Sequence, residues 1–581
     1  MAGLLAAGLA VRLYGFAGQS GNDELNYAQR AMNLAEGSYQ HFLYVFDGRI
    51  GFWSPLALIY RLGWRGDAAT SFLPLLLSLG TLWLVVLLGR RLFGARVGWL
   101  AGALLAAMPL DARLATTFRP DAPLSFWIAL AAWLLWLGTE PAGRRRGALC
   151  FGGGISLGVA WLCKEPAVFG VAALLAAALG ARRASWRTLL AAGAGLALVL
   201  GGETLAYAHW AGDPLFRLHA MQNTYRISAV NFVHAAPGLS DMLHRWLVSF
   251  WAMLLTSPEF GLLFWLAIAA GVGLLLERRR RRLDPSTLFA AGWFATLLLL
   301  FVFGSTSVKE YRPLVLVPRY FLPLVAPGAL LVARWLSGLA ESRPARREML
   351  WAGGALLLAT AALLSLFLAR ERALEALGAL YRLGASARRP WSSMAPRVAE
   401  QLATVGPLLL ATLAAGWAAL WLAQRNGWRP ALATGLVLLT GLHLCLLPTR
   451  GYLDPERRIA AYLAARPDAP VVTDWLTAQR LDFFSGFRQR SRWREWPRRQ
   501  PLPAAHLEYL RVSYVRWPPR AERLRPGALL VLSPRGYEWN GEYEYPFPPA
   551  LKQPSPDMRR VFDAGKGAGV YVVGPGLAAA W

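Results

Sequence analysis

The chain has 581 residues, 56% of them hydrophobic and only 16% charged, with a formal net charge of +27. Repeated apolar runs approach the ~20 residues that cross a bilayer, which defines a polytopic membrane protein and excludes a soluble globular enzyme. The basic residues punctuate those runs instead of forming one basic face, so nucleic acid is excluded as the partner of the charge.

In chain order, the expected spans lie near 1–17, 70–88, 98–110, 122–138, 147–162, 167–180, 188–206, 258–276, 286–304, 319–336, 350–368, 405–423 and 430–447, about thirteen crossings. The first lacks a clear small-residue cleavage site and reads as a retained span, not a signal peptide. Basic clusters mark the cytoplasmic side of a membrane protein. Here they are Arg90-Arg91, Arg144 to Arg146, Arg182-Arg183, Arg278 to Arg282, Arg346-Arg347, and Arg425 with Arg429. With the amino terminus inside, parity puts every cluster inside. Segments 18–69, 207–257 and 369–404 and the carboxyl-terminal region then fall outside.

After about Thr449 the apolar runs shorten and Pro, Arg and Trp rise. Pro470 to Asp474, Gly527 to Leu532 and Gly569 to Val573 read as short buried strands, and Trp475 to Phe484 as a helix. The expected organisation is thus a membrane domain over 1–448 and a small extracytoplasmic α/β domain over 449–581. That outer domain is read as serving acceptor recognition or as a lid, or else as a structural cap. A helix-like stretch, Glu371 to Leu383, falls in the third outer segment. Cys150, Cys163 and Cys445 each sit in or near an apolar run, so no disulfide framework is expected.

The stretch with the most chemistry follows the first span: Gly21-Asn22-Asp23-Glu24-Leu25-Asn26-Tyr27-Ala28. Asn22 suits a helix N-cap, and Asp23 and Glu24 suit a first turn, where the helix dipole favours negative charge. Leu25, Ala28, Met32 and Ala35 share one stripe, which predicts a short amphipathic helix in the interface plane, ending at Glu36-Gly37. Carboxylates at a membrane boundary are functional when they line a cavity. The competing reading is a helix cap whose acids face water.

Three further stretches carry charge at the expected outer ends of spans. Asp111 to Leu124 reads as a tight outer loop with Asp111, Arg113, Arg119 and Asp121. Arg119 is suited to a phosphate and Asp121 to orienting it or a sugar hydroxyl, or the two form a local pair that ends a helix. Trp161-Leu162-Cys163-Lys164-Glu165-Pro166 interrupts an apolar stretch with one of only four lysines, suited to a phosphate or else snorkelling to the interface. Pro318-Arg319-Tyr320-Phe321-Leu322-Pro323 opens a later span, placing Arg319 where a lipid-linked phosphate lies and Tyr320 against a sugar or prenyl chain, or making both an interfacial anchor. His209, His219, His234 and His244 lack metal-ligand spacing, so no metal is expected. Gly152-Gly153-Gly154 reads as helix packing and not a nucleotide loop, and no cofactor is expected.

Taken in order, Asp23-Glu24, Arg119-Pro120-Asp121, Lys164-Glu165-Pro166 and Arg319-Tyr320 with Leu322-Pro323 make the chain resemble bacterial membrane glycosyltransferases of the GT-C class. It is most similar to the branch joining protein O-mannosyltransferases with lipid A aminoarabinose transferases (glycosyltransferase family 39 or 83-like), over about 1–447. The resemblance implies a polyprenyl-phosphate sugar donor and inverting transfer to a hydroxyl acceptor on the outer face of the cytoplasmic membrane. It makes Asp23 the general base and Arg319, Lys164 and Arg119 the holders of the donor phosphate. Glu24 and Asp121 would position sugar hydroxyls or the basic residues, with Tyr27 and Tyr320 also contacting substrate. Where the aminoarabinose branch has an acidic-Lys-Pro-Pro stretch, this chain reads Phe46-Asp47-Gly48-Arg49-Ile50-Gly51-Phe52-Trp53-Ser54-Pro55, with Arg49 standing in for the lysine. This departure counts against aminoarabinose and lipid A specificity and leaves the acceptor open. Two rivals stand beside the enzyme reading. A lipid-linked sugar flippase predicts charges spread through the spans, whereas these cluster at outer ends. A structural envelope component predicts that Asp23 is dispensable.

Overall fold

The computed structural model describes residues 1–19, 23–40, 43–140, 145–227, 250–260, 262–278, 283–305, 316–341, 453–466, 469–495, 523–534 and 555–580, with 243, 245, 246, 311, 313 and 314. Every expected span on those residues meets a helix. The spans expected at 350–368, 405–423 and 430–447, and the stretch Glu371 to Leu383, lie outside the described residues.

The helices run α1 (Ala2–Tyr14), α2 (Asp23–Ala35), α3 (Ile50–Arg61), α4 (Asp67–Phe93), α5 (Ala95–Ala106), α6 (Pro109–Leu114), α7 (Asp121–Gly138), α8 (Arg146–Cys163), α9 (Ala167–Gly180) and α10 (Trp186–Trp210). Next come α11 (Phe216–Ile227), α12 (Phe250–Thr256), α13 (Leu263–Arg278), α14 (Pro285–Phe303) and α15 (Val325–Glu341), the last entered through a 3-10 turn, Pro318–Leu324. Among the described residues, α4, α7, α8, α10, α14 and the segment Pro318–Gly338 are long and apolar enough to cross a membrane. Helices α1, α5, α9 and the apolar part of α13 are shorter. At ~1.5 Å per residue a helix needs about 20 residues for the ~30 Å hydrocarbon core, so these four do not reach across by themselves.

The bundle is held by apolar packing and by close backbone approach. A Cβ on Gly154 would fall 1.9 Å from the Ala192 carbonyl oxygen, and one on Gly195 would fall 2.1 Å from that of Phe151. These glycines let α8 and α10 touch backbone to backbone, as small residues do between membrane helices. The triplet at Gly152 to Gly154 is thus a packing device, as its apolar setting predicts.

A charged pair is buried among the described helices of the bundle. Arg12 of α1 meets Asp111 of α6, and Ser78 of α4 ties both: Arg12 Nε donates to Ser78 Oγ at 2.7 Å, which donates to Asp111 Oδ2 at 2.7 Å. The two charged side chains are 0% and 3% exposed. Asp111 therefore lies in a short helix opened by Pro109, not in a loop, and is committed to structure. Removing one partner of a buried pair strands the other charge. Arg12→Ala is expected to cost about 3–5 kcal/mol, read as a lower unfolding midpoint of the purified protein in detergent. An unchanged midpoint would refute the assignment.

Helix α2 begins at Asp23 and ends at Ala35 as its pattern predicts, although Asn22 lies outside the described residues. It does not lie half-exposed in an interface. Leu25, Ala28 and Met32 are buried, but so are Asn26, Gln29, Arg30 and Asn33. The reason is tertiary: α3 packs on one side and a carboxyl-terminal helix on the other, so protein covers the polar face.

The carboxyl-terminal residues form helix α16 (Asp454–Ala464), strand β1 (Val471–Thr473), helix α17 (Trp475–Phe484), strands β2 (Trp493–Glu495), β3 (Leu529–Leu532), β4 (Met558–Gly565) and β5 (Ala568–Val573), and helix α18 (Pro575–Ala580). The sheet order is β2-β1-β3-β5-β4. Strands β2, β1 and β3 run parallel, and β5 runs antiparallel to β3 and β4. Asp474 caps α17 by accepting from the Thr477 backbone N–H, which fixes the strand-to-helix turn read at Thr473-Asp474.

Candidate active site

Nine residues singled out from the sequence converge at one end of the bundle. Asp23, Glu24 and Tyr27 come from α2, and Arg49 from the turn before α3. Arg119 and Asp121 come from the start of α7, Lys164 from the end of α8, and Arg319 and Tyr320 from the turn before α15.

Local sequence explains how they arrive. Pro120 and Asp121 open α7, and the acid at its first turn complements the helix dipole. Pro166 follows closely on the end of α8, where Lys164 takes an extended conformation (φ −163°, ψ 140°) that turns its side chain out of the helix. Pro318 and Pro323 hold the approach to α15 as a 3-10 turn. Gly51 allows α3 to meet α8, since a Cβ there would fall 2.5 Å from that of Leu162. Below the charges, Tyr27, Phe46, Phe52 and Phe118 pack as one aromatic floor.

The charges form pairs that cross between elements. Arg319 Nη1 donates to Asp23 Oδ2 at 3.2 Å, with side-chain exposures of 24% and 36%. Arg319 Nε is buried with no hydrogen-bond partner among the described residues. Arg119 Nε donates to Glu24 Oε1 at 2.7 Å. Lys164 pairs with Asp121 and places Nζ 4.0 Å from the centre of the Tyr320 ring. Arg49 grips Glu165 through Nε and Nη2, at 3.1 and 2.6 Å, and donates from Nη1 to Tyr27 Oη at 2.6 Å.

Several expectations change in kind. Arg119 and Asp121 do not pair with each other, because each faces a partner on a different element. Lys164 does not snorkel, being 4% exposed and held over an aromatic face. Tyr320 serves that ammonium with its ring. Asp47, next to Arg49, is buried against Arg30 and bonded by Tyr39, so it belongs to the scaffold. Sequence reasoning missed Glu165, Glu203 and Arg217. Arg217 of α11 donates to the Gly48 carbonyl at 2.6 Å, to Glu203 of α10 at 2.9 Å and to Glu165 at 3.2 Å. Glu165 was visible beside Lys164 but read as a helix breaker, and Arg217 carried no motif.

Withdrawal from water would raise the Asp23 carboxyl, but the charges of Arg319, Arg119 and Arg49 outweigh this and hold it below its ordinary value. Glu165 is likewise buried, yet Arg49 and Arg217 bring it down to about 2. The site is a set of carboxylates each paired with a cation from another element. Asp23 is its most exposed carboxylate, at 36% against 12% for Glu165, 2% for Asp121 and 0% for Glu24. His209 ends α10, His219 pairs with Asp213, and His234 and His244 lie outside the described residues. Among the described residues no group of three or more His, Cys, Asp and Glu side chains is arranged to hold a metal ion.

The helical bundle and its carboxyl-terminal α/β unit share a fold with solved structures, and part of the bundle matches a family model. The family model for dolichyl-phosphate-mannose-protein mannosyltransferases matches residues 51–202. The crystal structure of ArnT from Cupriavidus metallidurans in the apo state shares the fold with a TM-score of 0.56 at 17% identity, over 98% of this chain and 96% of that one. The same protein bound to undecaprenyl phosphate aligns with a TM-score of 0.57 at 17% identity, over 98% and 97% of the two chains. No curated protein matches this chain by sequence.

Proposed function

We propose that this protein is an inverting glycosyltransferase of the cytoplasmic membrane. It moves a sugar from a polyprenyl-phosphate-linked donor to a hydroxyl acceptor on the extracytoplasmic face. The observation that carries the reading is the pairing of Asp23, a half-exposed carboxylate, with Arg319, whose Nε is buried without a partner among the described residues. A candidate base and a candidate anion holder thus lie side by side.

In this reading the acceptor O–H gives its proton to Asp23 while its oxygen attacks the anomeric carbon. The bond from that carbon to the phosphate oxygen breaks, and polyprenyl phosphate leaves with the electron pair. Arg319 and Lys164 stabilise the growing phosphate charge, with Arg119 beside them. Glu24 holds Arg119 and Asp121 holds Lys164 in place, while Arg49 joins Tyr27 to Glu165. The undecaprenyl phosphate in the ArnT structure supports a prenyl-phosphate ligand for the shared fold.

Sidedness is supported by the helix ends. The site lies where α7 and α15 begin and α8 ends, whereas Arg90, Arg91, Arg146, Arg182 and Arg183 lie at the opposite ends of α4, α8 and α9. We assign 1–448 to the membrane domain and 449–581 to an extracytoplasmic domain.

The direct test uses purified protein in lipid, a panel of polyprenyl-phosphate sugars and a native membrane extract as acceptor source. Release of free polyprenyl phosphate from at least one donor is expected. Movement of donor across the bilayer without any release would replace the enzyme by a carrier.

A further inference from the structure

The carboxyl-terminal unit touches the helix that carries Asp23, and it does so through polar groups no element of the charged site supplies. Helix α2 has 13 residues, and isolated helices of that length are marginal. Its buried amides need partners, because buried polar groups without hydrogen bonds are costly. Gln479 of α17 donates to Asn26 Oδ1 at 2.9 Å. Arg490, just beyond α17, donates from Nη1 to Asn33 Oδ1 at 2.9 Å and to Glu36 Oε2 at 3.2 Å, while its Nε bonds Asp482 Oδ2 of α17 at 3.2 Å. Asn26 and Asn33 are seven residues apart and so share one stripe of α2, two turns apart. Asp23 and Tyr27 occupy the neighbouring stripe. Fixing the asparagine stripe therefore fixes the rotation of the helix and the direction in which Asp23 points.

Apolar contacts set the depth. Phe483 and Phe487 join the buried cluster of Leu25, Tyr27, Ala28 and Phe52. The other side of the unit is tied to the bundle: Arg457 of α16 pairs with Asp67 at the start of α4, and Arg65 donates to the Gly486 carbonyl at 3.4 Å. The unit thus bridges a long helix of the bundle and the short helix of the base.

We propose that Gln479 and Arg490 are positioning residues that hold α2 so that Asp23 faces the acceptor and donor phosphate. The inference rests on the assignment of Asp23 as base. It gives the carboxyl-terminal unit a part in catalysis separate from any recognition of acceptor.

The test compares Gln479→Ala, Arg490→Ala, Asn26→Ala, the Gln479→Ala/Asn26→Ala pair and Asp23→Asn, all in the full chain in lipid with a donor found active. A misplacement of about 1 Å by a remote change can cost up to about a hundredfold. Gln479→Ala and Arg490→Ala are each expected to lower kcat about tenfold with the donor KM changed less than about twofold. The Gln479→Ala/Asn26→Ala pair should be no slower than Asn26→Ala alone, since both remove one bond. Unchanged kcat in folded Gln479→Ala and Arg490→Ala, with Asp23→Asn inactive, overturns the positioning role alone. A lowered thermal midpoint with wild-type kcat makes the unit a structural cap and overturns it equally. Full activity of Asp23→Asn overturns the underlying reading instead.

Discussion

Asp23→Asn is expected to lower transfer by about 10²–10⁴-fold, the range supplied by a positioned general base, while the protein stays folded. The substitution keeps size and shape but removes the charge and the ability to accept the acceptor's proton. It also removes the ion pair with Arg319, yet that pair is partly exposed, and exposed pairs contribute little to stability. Loss of release of polyprenyl phosphate with an unchanged unfolding midpoint is the expected combination. Near-full transfer by the variant would remove Asp23 as base. The other three carboxylates offer no ready substitute, because each is nearer to full burial and committed to a cation: Glu24 to Arg119, Asp121 to Lys164, and Glu165 to Arg49 and Arg217.

Arg319→Ala is expected to lower kcat by about 10²–10³-fold, as removal of one preorganised group facing developing negative charge does. It should also move the acid side of the pH profile. In the free site Arg319 is the first of the charges that hold the Asp23 carboxyl down. With the base held below its ordinary value, the acid limb of wild-type kcat/KM should lie below that of an unperturbed aspartate. Without Arg319 the burial that raises the carboxyl is less opposed, so Asp23 picks up a proton at higher pH and the acid limb shifts upward. An unmoved acid limb would separate Asp23 from Arg319 in function. In the proposed mechanism a donor phosphate would compete with Asp23 for the same guanidinium. Because Asp23 is the most exposed of the four acids, its pair is the one a phosphate would open, leaving the carboxylate to turn to an acceptor.

Much of the site was legible because each charge sits at the end of an apolar run. Asp23-Glu24, Arg119 with Asp121, Lys164 and Arg319 are conspicuous where hydrophobic sequence stops, since ionisable groups near lipid need a reason to be there. Their partners were not legible. Arg119 and Asp121 are two residues apart and invite a local pair, yet one reaches α2 and the other α8. Glu165 reads as a helix breaker until Arg49 and Arg217 are seen to close on it. In the carboxyl-terminal unit, β1, β3 and β5 were readable as continuous apolar runs. Strand β2 is short and carries Arg494 and Glu495, and β4 carries Arg559 and Arg560, so neither has an apolar run to betray it. Strand β4 is recognisable only through its hairpin with β5, where Gly565, Lys566 and Gly567 all have positive φ.

The sequence by itself determined that the chain is a polytopic membrane protein, where its long apolar helices, α2 and α17 lie among the described residues, and which charged residues sit at their ends. Those properties follow from local hydrophobicity and from Pro, Gly and acidic residues at helix termini, which act over a few residues. The tertiary structure alone decided which charge meets which, that α2 is enclosed and not afloat at an interface, and that α17 supplies partners to Asn26 and Asn33. The physical reason is that a buried charge or amide must be satisfied by whichever group the fold brings within about 3 Å, and here those groups are separated by 95 residues for Arg119 and Glu24, 296 for Arg319 and Asp23, and 453 for Gln479 and Asn26.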